Sequence, residues 1–202
     1  MVLVAELART SRRVMPIYVR QGLRWEAAER YWLARWLTSF PKHRVGPLVT
    51  LALPITEVYG PHWSTRGRAT PAASDPDEAV YLSGRNLLLT VKAAVSCATH
   101  RIPELALGTL KGNPFSDATA GFRRALSRTL SQGLGRRVTV TAPLAGRRKA
   151  ALIRRWRSLP LALPFSCINP VGRVHCGRCQ KCGERRQGFL AAGVPDETRY
   201  VS

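Results

Sequence analysis

The sequence predicts an α/β protein, a parallel sheet flanked by helices with a small C-terminal zinc-binding module, and three observations lead there. Short β-branched or aromatic runs alternate with segments of helical period, an alternation that builds parallel sheets covered on both faces. Cys167, Cys176, Cys179 and Cys182 lie within sixteen residues in the pattern C-x8-C-x2-C-x2-C. A length of 202 residues allows one sizeable core and a short appendage. The division is placed after residue 160, with residues 1–160 as the α/β domain and 161–202 as the four-cysteine module and closing helix.

Each element has its own signal. Residues 1–8 are apolar from the first and carry no basic leader, which speaks against a secretory signal. Residues 13–19 read as a strand, and Trp25, Ala28, Trp32 and Trp36 then recur at helical spacing as the core face of a helix. Residues 45–55 read as a second buried strand. Residues 59–78, rich in Pro, Gly, Ser and Asp, read as a long loop of the kind that serves as a lid or binding segment. Residues 86–98 are apolar almost all round and predict an inner helix, with Cys97 as a small buried hydrophobe. A strand over 105–110 follows, and Asp117 can cap a helix whose stripe is Phe122, Ala125, Leu126, Thr129 and Leu130. Residues 138–141 give another strand and 147–157 a helix. A last helix over 184–192 is stopped by Gly193 and Pro195.

The cysteine spacing fits a structural zinc ion, which takes four thiolates in a tetrahedron; two-residue gaps turn successive sulfurs toward one ion. An iron–sulfur cluster of bacterial ferredoxin type would want a fourth cysteine three residues on followed by proline, which residues 183–186 do not offer. Two disulfides would need an oxidising compartment, of which the sequence gives no sign. His175 is a possible substitute ligand, but with four thiolates at hand it is expected beside the site.

Composition narrows the function classes. No stretch approaches eighteen uncharged apolar residues, so no membrane span is expected and the cytoplasm is the simplest address. Net charge is +20, from 32 Lys and Arg against 12 Asp and Glu. Between residues 105 and 183 Asp117 is the only carboxylate, against fifteen cations. That excess suggests a polyanionic partner, with nucleic acid, nucleotide phosphates and plain solvation all open.

In parallel sheets, ligands sit beyond the carboxyl ends of the strands. Three loops qualify. Ser83-Gly84-Arg85-Asn86 opens a helix, where N–H groups, the helix dipole and an Arg fork favour an anion. Residues 111–117 form a polar turn ending in Asp117, and the basic Arg147-Arg148-Lys149 opens another helix, where it opposes the dipole and calls for an anion. Each has a plainer reading as a cap, a turn or a solvated charge.

These segments together resemble a known family. They are Ser83-Gly84-Arg85-Asn86-Leu87-Leu88-Leu89, Gly108 through Asn113-Pro114-Phe115-Ser116-Asp117-Ala118-Thr119, then Lys149, Ser166-Cys167-Ile168-Asn169-Pro170, Cys176-Gly177-Arg178-Cys179-Gln180-Lys181-Cys182 and Ala192-Gly193-Val194-Pro195-Asp196. The chain resembles the 7-cyano-7-deazaguanine synthases of the N-type ATP pyrophosphatase superfamily. The resemblance implies an adenine nucleotide α-hydrolase-like fold, a zinc ion on the four cysteines, a homodimer, and ATP used with Mg2+. It implies that ATP adenylates the carboxylate of 7-carboxy-7-deazaguanine, that ammonia displaces AMP to give an amide, and that a second ATP-dependent round yields the nitrile, a precursor of queuosine. Matched to the family's motifs, Gly84, Arg85 and Asn86 lie near nucleotide, Asp117 faces the deazapurine and Lys149 stands near the phosphates as a catalytic cation. The family's S-G-G-x-D-S pyrophosphate loop has no counterpart in the sequence, Ser83 stands where proline is usual, and Ala150 where an acidic residue is common. The expectation is that the first strand and that loop are missing and that ATP binding is weakened. Alternative readings are an inactive truncated paralogue and a zinc-containing basic module that binds nucleic acid.

Overall fold

In the computed structural model, which describes residues 1–10 and 13–201, helices and short parallel strands alternate as the sequence predicts. Helix α1 (Val2–Thr10) leads to β1 (Ile17–Arg20), α2 (Glu26–Leu37) and β2 (Val49–Ala52). Two single-turn helices, α3 (Thr56–Tyr59) and α4 (Trp63–Arg66), precede α5 (Arg85–Thr99) and β3 (Glu104–Ala106). Then come α6 (Ala120–Gly133), β4 (Thr139–Thr141), α7 (Lys149–Arg155) and α8 (Gln180–Ala192).

The strands form two parallel pairs. Ile17 aligns with Val49 in β1–β2, and Glu104 with Thr139 in β3–β4. A single continuous sheet is the simplest expectation, but no ladder joins β1 to β3 among the described residues. Helix α5 spans the two pairs, packing on both β1 and β3. Proline explains the brevity of the strands: Pro16 and Pro103 stand just before β1 and β3, where they lack an N–H and serve only as carbonyl acceptors for Val49 and Thr139.

Three apolar clusters hold these layers. Ala93, Ala94 and Cys97 of α5 meet Leu105, Leu126, Leu130, Val138 and Val140, while Ala5, Trp36, Ile153, Leu161 and Phe189 join α1 and α2 to α7 and α8. The third packs Leu23, Trp25, Ala28, Ile55, Val80 and Leu82 directly against the four clustered cysteines. Trp25, Ala28 and Trp36 are buried as their spacing predicts, and Trp32 is partly buried, with its indole N–H donating to the Arg173 carbonyl.

Four expectations are corrected. Residues 59–78 are not a free loop: besides α4 and a 3-10 turn at Asp77–Val80, their backbone is bonded to the cysteine segment through Gln180 N–H to the Pro71 carbonyl and Ala73 N–H to the Arg178 carbonyl. Helix α5 is not buried all round, because Leu87, Val91 and Val95 are exposed along one side. Thr119, rather than Asp117, caps α6, its hydroxyl accepting from the Phe122 N–H, since Asp117 is engaged elsewhere. Helix α8 starts at Gln180, four residues earlier than 184, because Cys179 stands at its N-cap.

Candidate metal centre and nucleotide face

Cys167 leaves the turn after α7, Cys176 and Cys179 come from the following hairpin-like loop, and Cys182 lies in the first turn of α8. The four sulfurs lie within 4.8 Å of one another, with Cys167–Cys179 at 3.8 Å and Cys179–Cys182 at 3.5 Å. A tetrahedron of thiolates about 2.3 Å from zinc has edges of about 3.8 Å, so the cluster is already close to the size the ion requires. The Cys167 sulfur also accepts the N–H groups of Asn169 and Cys176, which stabilise a thiolate. Hydrogen bonding shared with Cys167 and Cys182 holds the Cys179 thiol far below its ordinary range, while the bond with Cys179 pushes Cys167 far above it. The cluster therefore shares protons that a bound ion would displace. These donors fit a structural zinc ion.

His175 is not part of the donor set. Its Nε2 accepts from the Ser166 N–H at 3.2 Å, and its ring packs between Phe165 and Tyr200. Burial, and then the nearby Arg185 charge, lower its pKa to about 4, so the ring is neutral and able to accept. Arg185 locks the module from beneath: buried, it donates to the carbonyls of Pro164 and Leu161 and to the Thr198 hydroxyl, with Asp196 at 3.8 Å.

The second region lies at the amino end of α5. Gly84 takes φ +71, a left-handed conformation that glycine adopts without strain, and a Cβ there would meet nothing within 4 Å. Asn86 donates its backbone N–H and its side-chain amide to the two oxygens of Asp117, both at 3.0 Å. The predicted helix-entry motif and the predicted base-facing loop are thus fastened together, and Asp117 is buried in the fastening. Arg85 donates from Nε to the Gln21 side-chain carbonyl at 3.2 Å and lies 5.9 Å from the Trp25 ring centre. Tyr59 donates to the Ser83 carbonyl.

Sequence reasoning missed Gln21, which is fully buried and whose Nε2 has no partner among the described residues. It sits just past β1, in a loop leaving a strand, and that position was its available signal. The Lys149 ammonium is paired with Glu184 of α8, while Lys181 holds the other Glu184 oxygen at 2.7 Å. Burial depresses the Lys149 ammonium and Glu184 counteracts it; for Glu184 the two lysines outweigh burial and hold the carboxyl low.

With both regions described, comparison with known proteins becomes informative. The family described as "Queuosine biosynthesis protein QueC" matches residues 64–193. The chain belongs to the QueC family. A 7-cyano-7-deazaguanine synthase of Anaeromyxobacter sp. is 30% identical over 145 residues, covering 67% of this chain and 62% of its own length. The protein of that name from Methanothermobacter thermautotrophicus is 30% identical over 149 residues, 67% of each chain. One from Myxococcus xanthus reaches 49% over 71 residues, 33% of this chain and 30% of its own. The match to the Methanocaldococcus jannaschii synthase covers 58% of that protein, so the chain spans about six-tenths of the length of several QueC relatives. Among the described residues no helix is long and apolar enough to cross a membrane.

Proposed function

We propose that this QueC-family chain serves ATP-dependent synthesis of 7-cyano-7-deazaguanine from 7-carboxy-7-deazaguanine and ammonia, as a cytoplasmic carbon–nitrogen ligase. The observation that carries the reading is the Asn86–Asp117 junction, which puts Gly84, Arg85 and the base-facing turn in one place beyond the strand ends. Attack of a substrate carboxylate oxygen on the α-phosphorus expels pyrophosphate and leaves an acyl adenylate. Ammonia then attacks the acyl carbon, and AMP departs as the amide forms. In the second round the amide oxygen is adenylated and leaves with AMP as the nitrile forms.

In this reading the Gly84–Arg85 turn presents N–H groups and a guanidinium to the nucleotide, and these strengthen as charge develops in the transition state. Asp117 holds Asn86 and turns its remaining lone pairs toward the deazapurine. The buried Gln21 amide, lacking an acceptor among the described residues, supplies a donor for the same ligand. With both Asp117 oxygens already accepting, Mg2+ would be held by the nucleotide's own phosphates. Lys149 is proposed as a cation for those phosphates, a role that requires its ammonium to exchange Glu184 for phosphate. Residues 161–202 act as the zinc-clipped module, and zinc would be structural there, its four protein ligands leaving no open position.

A homodimer is proposed through α5. Leu87, Val91 and Val95 line a groove of about 610 Å3 with Leu51 and Leu53. Lys92 is the only Lys or Arg lining that groove, so two copies of a +20 chain can meet there with little charge confronted. Incubation with ATP, ammonium and 7-carboxy-7-deazaguanine tests the activity. Release of AMP dependent on the deazapurine supports it; ATP left intact would refute it and favour an inactive member of the family.

A further inference from the structure

We infer that the face beyond the carboxyl ends of β3 and β4 binds single-stranded nucleic acid, with a base on the Tyr81–Phe115 ring pair and phosphates on Lys111, Arg147 and Arg148. This goes beyond the small-molecule reading above, with which it shares the 111–117 turn, and does not depend on it.

The turns leaving the two strands are joined, since the Lys111 N–H donates to the Arg147 carbonyl at 3.0 Å. That bond sets three exposed cations, Lys111, Arg147 and Arg148, along one edge, with exposed Arg124 in the first turns of α6 behind the same turn. None of the four is paired with a carboxylate among the described residues. Asp117, the sole carboxylate between residues 105 and 183, is buried against Asn86. Two carboxylates from outside that stretch, Glu104 and Asp77, accept from the Thr141 hydroxyl and the Gln180 amide and keep their charge, Asp77 lying 3.9 Å from Lys181. The four exposed cations, outside every ion pair among the described residues, offer positive charge to a polyanion.

Charge alone would suit any polyanion, and the aromatic pair narrows the choice. Phe115 stands in the same turn as Lys111, its ring 5.0 Å from that of Tyr81, and Tyr81 is 37% exposed. Tyr81 supplies the open face, Phe115 being partly buried against the core beside the cysteines, and an aromatic face beside a cationic track is how sequence-tolerant single-strand binders combine stacking with phosphate contacts. A duplex keeps its bases stacked inside and cannot use the rings.

The test is fluorescence anisotropy of labelled twelve-nucleotide oligo(U) and oligo(dT), with a duplex of equal length, across a salt series. Paired reversal R147E/R148E is expected to weaken single-strand binding at least about tenfold and to flatten the salt slope by about 2. Y81A is expected to weaken it about fivefold or more without changing that slope. R136E/R137E removes the same charge at the opposite end of β4 and is expected to change affinity less than about threefold. Binding of either RNA or DNA single strands in this pattern supports the inference. No binding of single strands at low salt, or equal losses from the two double reversals with Y81A silent, would overturn it.

Discussion

The metal centre is closed, with each of its four cysteines at most 3% exposed and packed against the core, whereas Gly84, Arg85 and Asn86 at the proposed nucleotide face are only partly buried. The closed region draws its four ligands from sixteen residues; the open one ties Asn86 to Asp117 across 31 positions and Arg85 to Gln21 across 64. The difference separates stability from function. At the open region Gln21 Nε2 has no partner among the described residues, as a site that admits and releases a ligand would require, whereas the four thiols of the closed region face one another.

Perturbing both regions sharpens that contrast. The largest effect is expected from Cys182→Ser, because structural zinc can contribute on the order of 10 kcal/mol to folding. Zinc content should fall below one ion per chain with cooperative thermal unfolding lost, and a strong chelator should do the same to the native protein. Arg185→Leu comes next: it strands the carbonyls of Pro164 and Leu161, at a cost of about 3–5 kcal/mol in denaturant unfolding. At the open face Asp117→Ala removes two hydrogen bonds to Asn86 and should cost about 2–3 kcal/mol. Its signature is AMP release falling further than stability explains.

Two smaller effects complete the series. Burial tends to raise the Asp196 carboxyl, but hydrogen bonds from Thr198 and Tyr200 and the Arg185 charge hold it low. A carboxyl with a depressed folded pKa contributes stability above its unfolded value, about pH 4, which is lost as pH falls through the folded value. Asp196→Asn should therefore lower the melting temperature at neutral pH and flatten the stability curve below about pH 4. Tyr59→Phe deletes one hydrogen bond to the Ser83 carbonyl and should cost about 1 kcal/mol, with no change in zinc content.

What was legible in the sequence follows the same divide. The cysteine spacing was sufficient because a metal's geometric demand is met within one short stretch. The alternation of strands and helices and the tryptophan face of α2 were readable because periodicity is local. The junction of Asn86 with Asp117 was not: Asp117 and Thr119 can both cap α6, and only the tertiary position of α5 assigns Asp117 to Asn86. Composition marked residues 59–78 as a loop, yet Pro71 and Ala73 bond to the cysteine segment, a long-range pairing that no composition reveals. The pairing of Lys149 with Glu184 was equally hidden, because Glu184 lies 35 residues on in α8.

Zinc-edge X-ray absorption of protein purified without chelator is the most direct test of the four-cysteine centre. One zinc per chain with four sulfurs at about 2.3 Å is the expected result. A chain without stoichiometric metal, or a shell that includes nitrogen from His175, would contradict it.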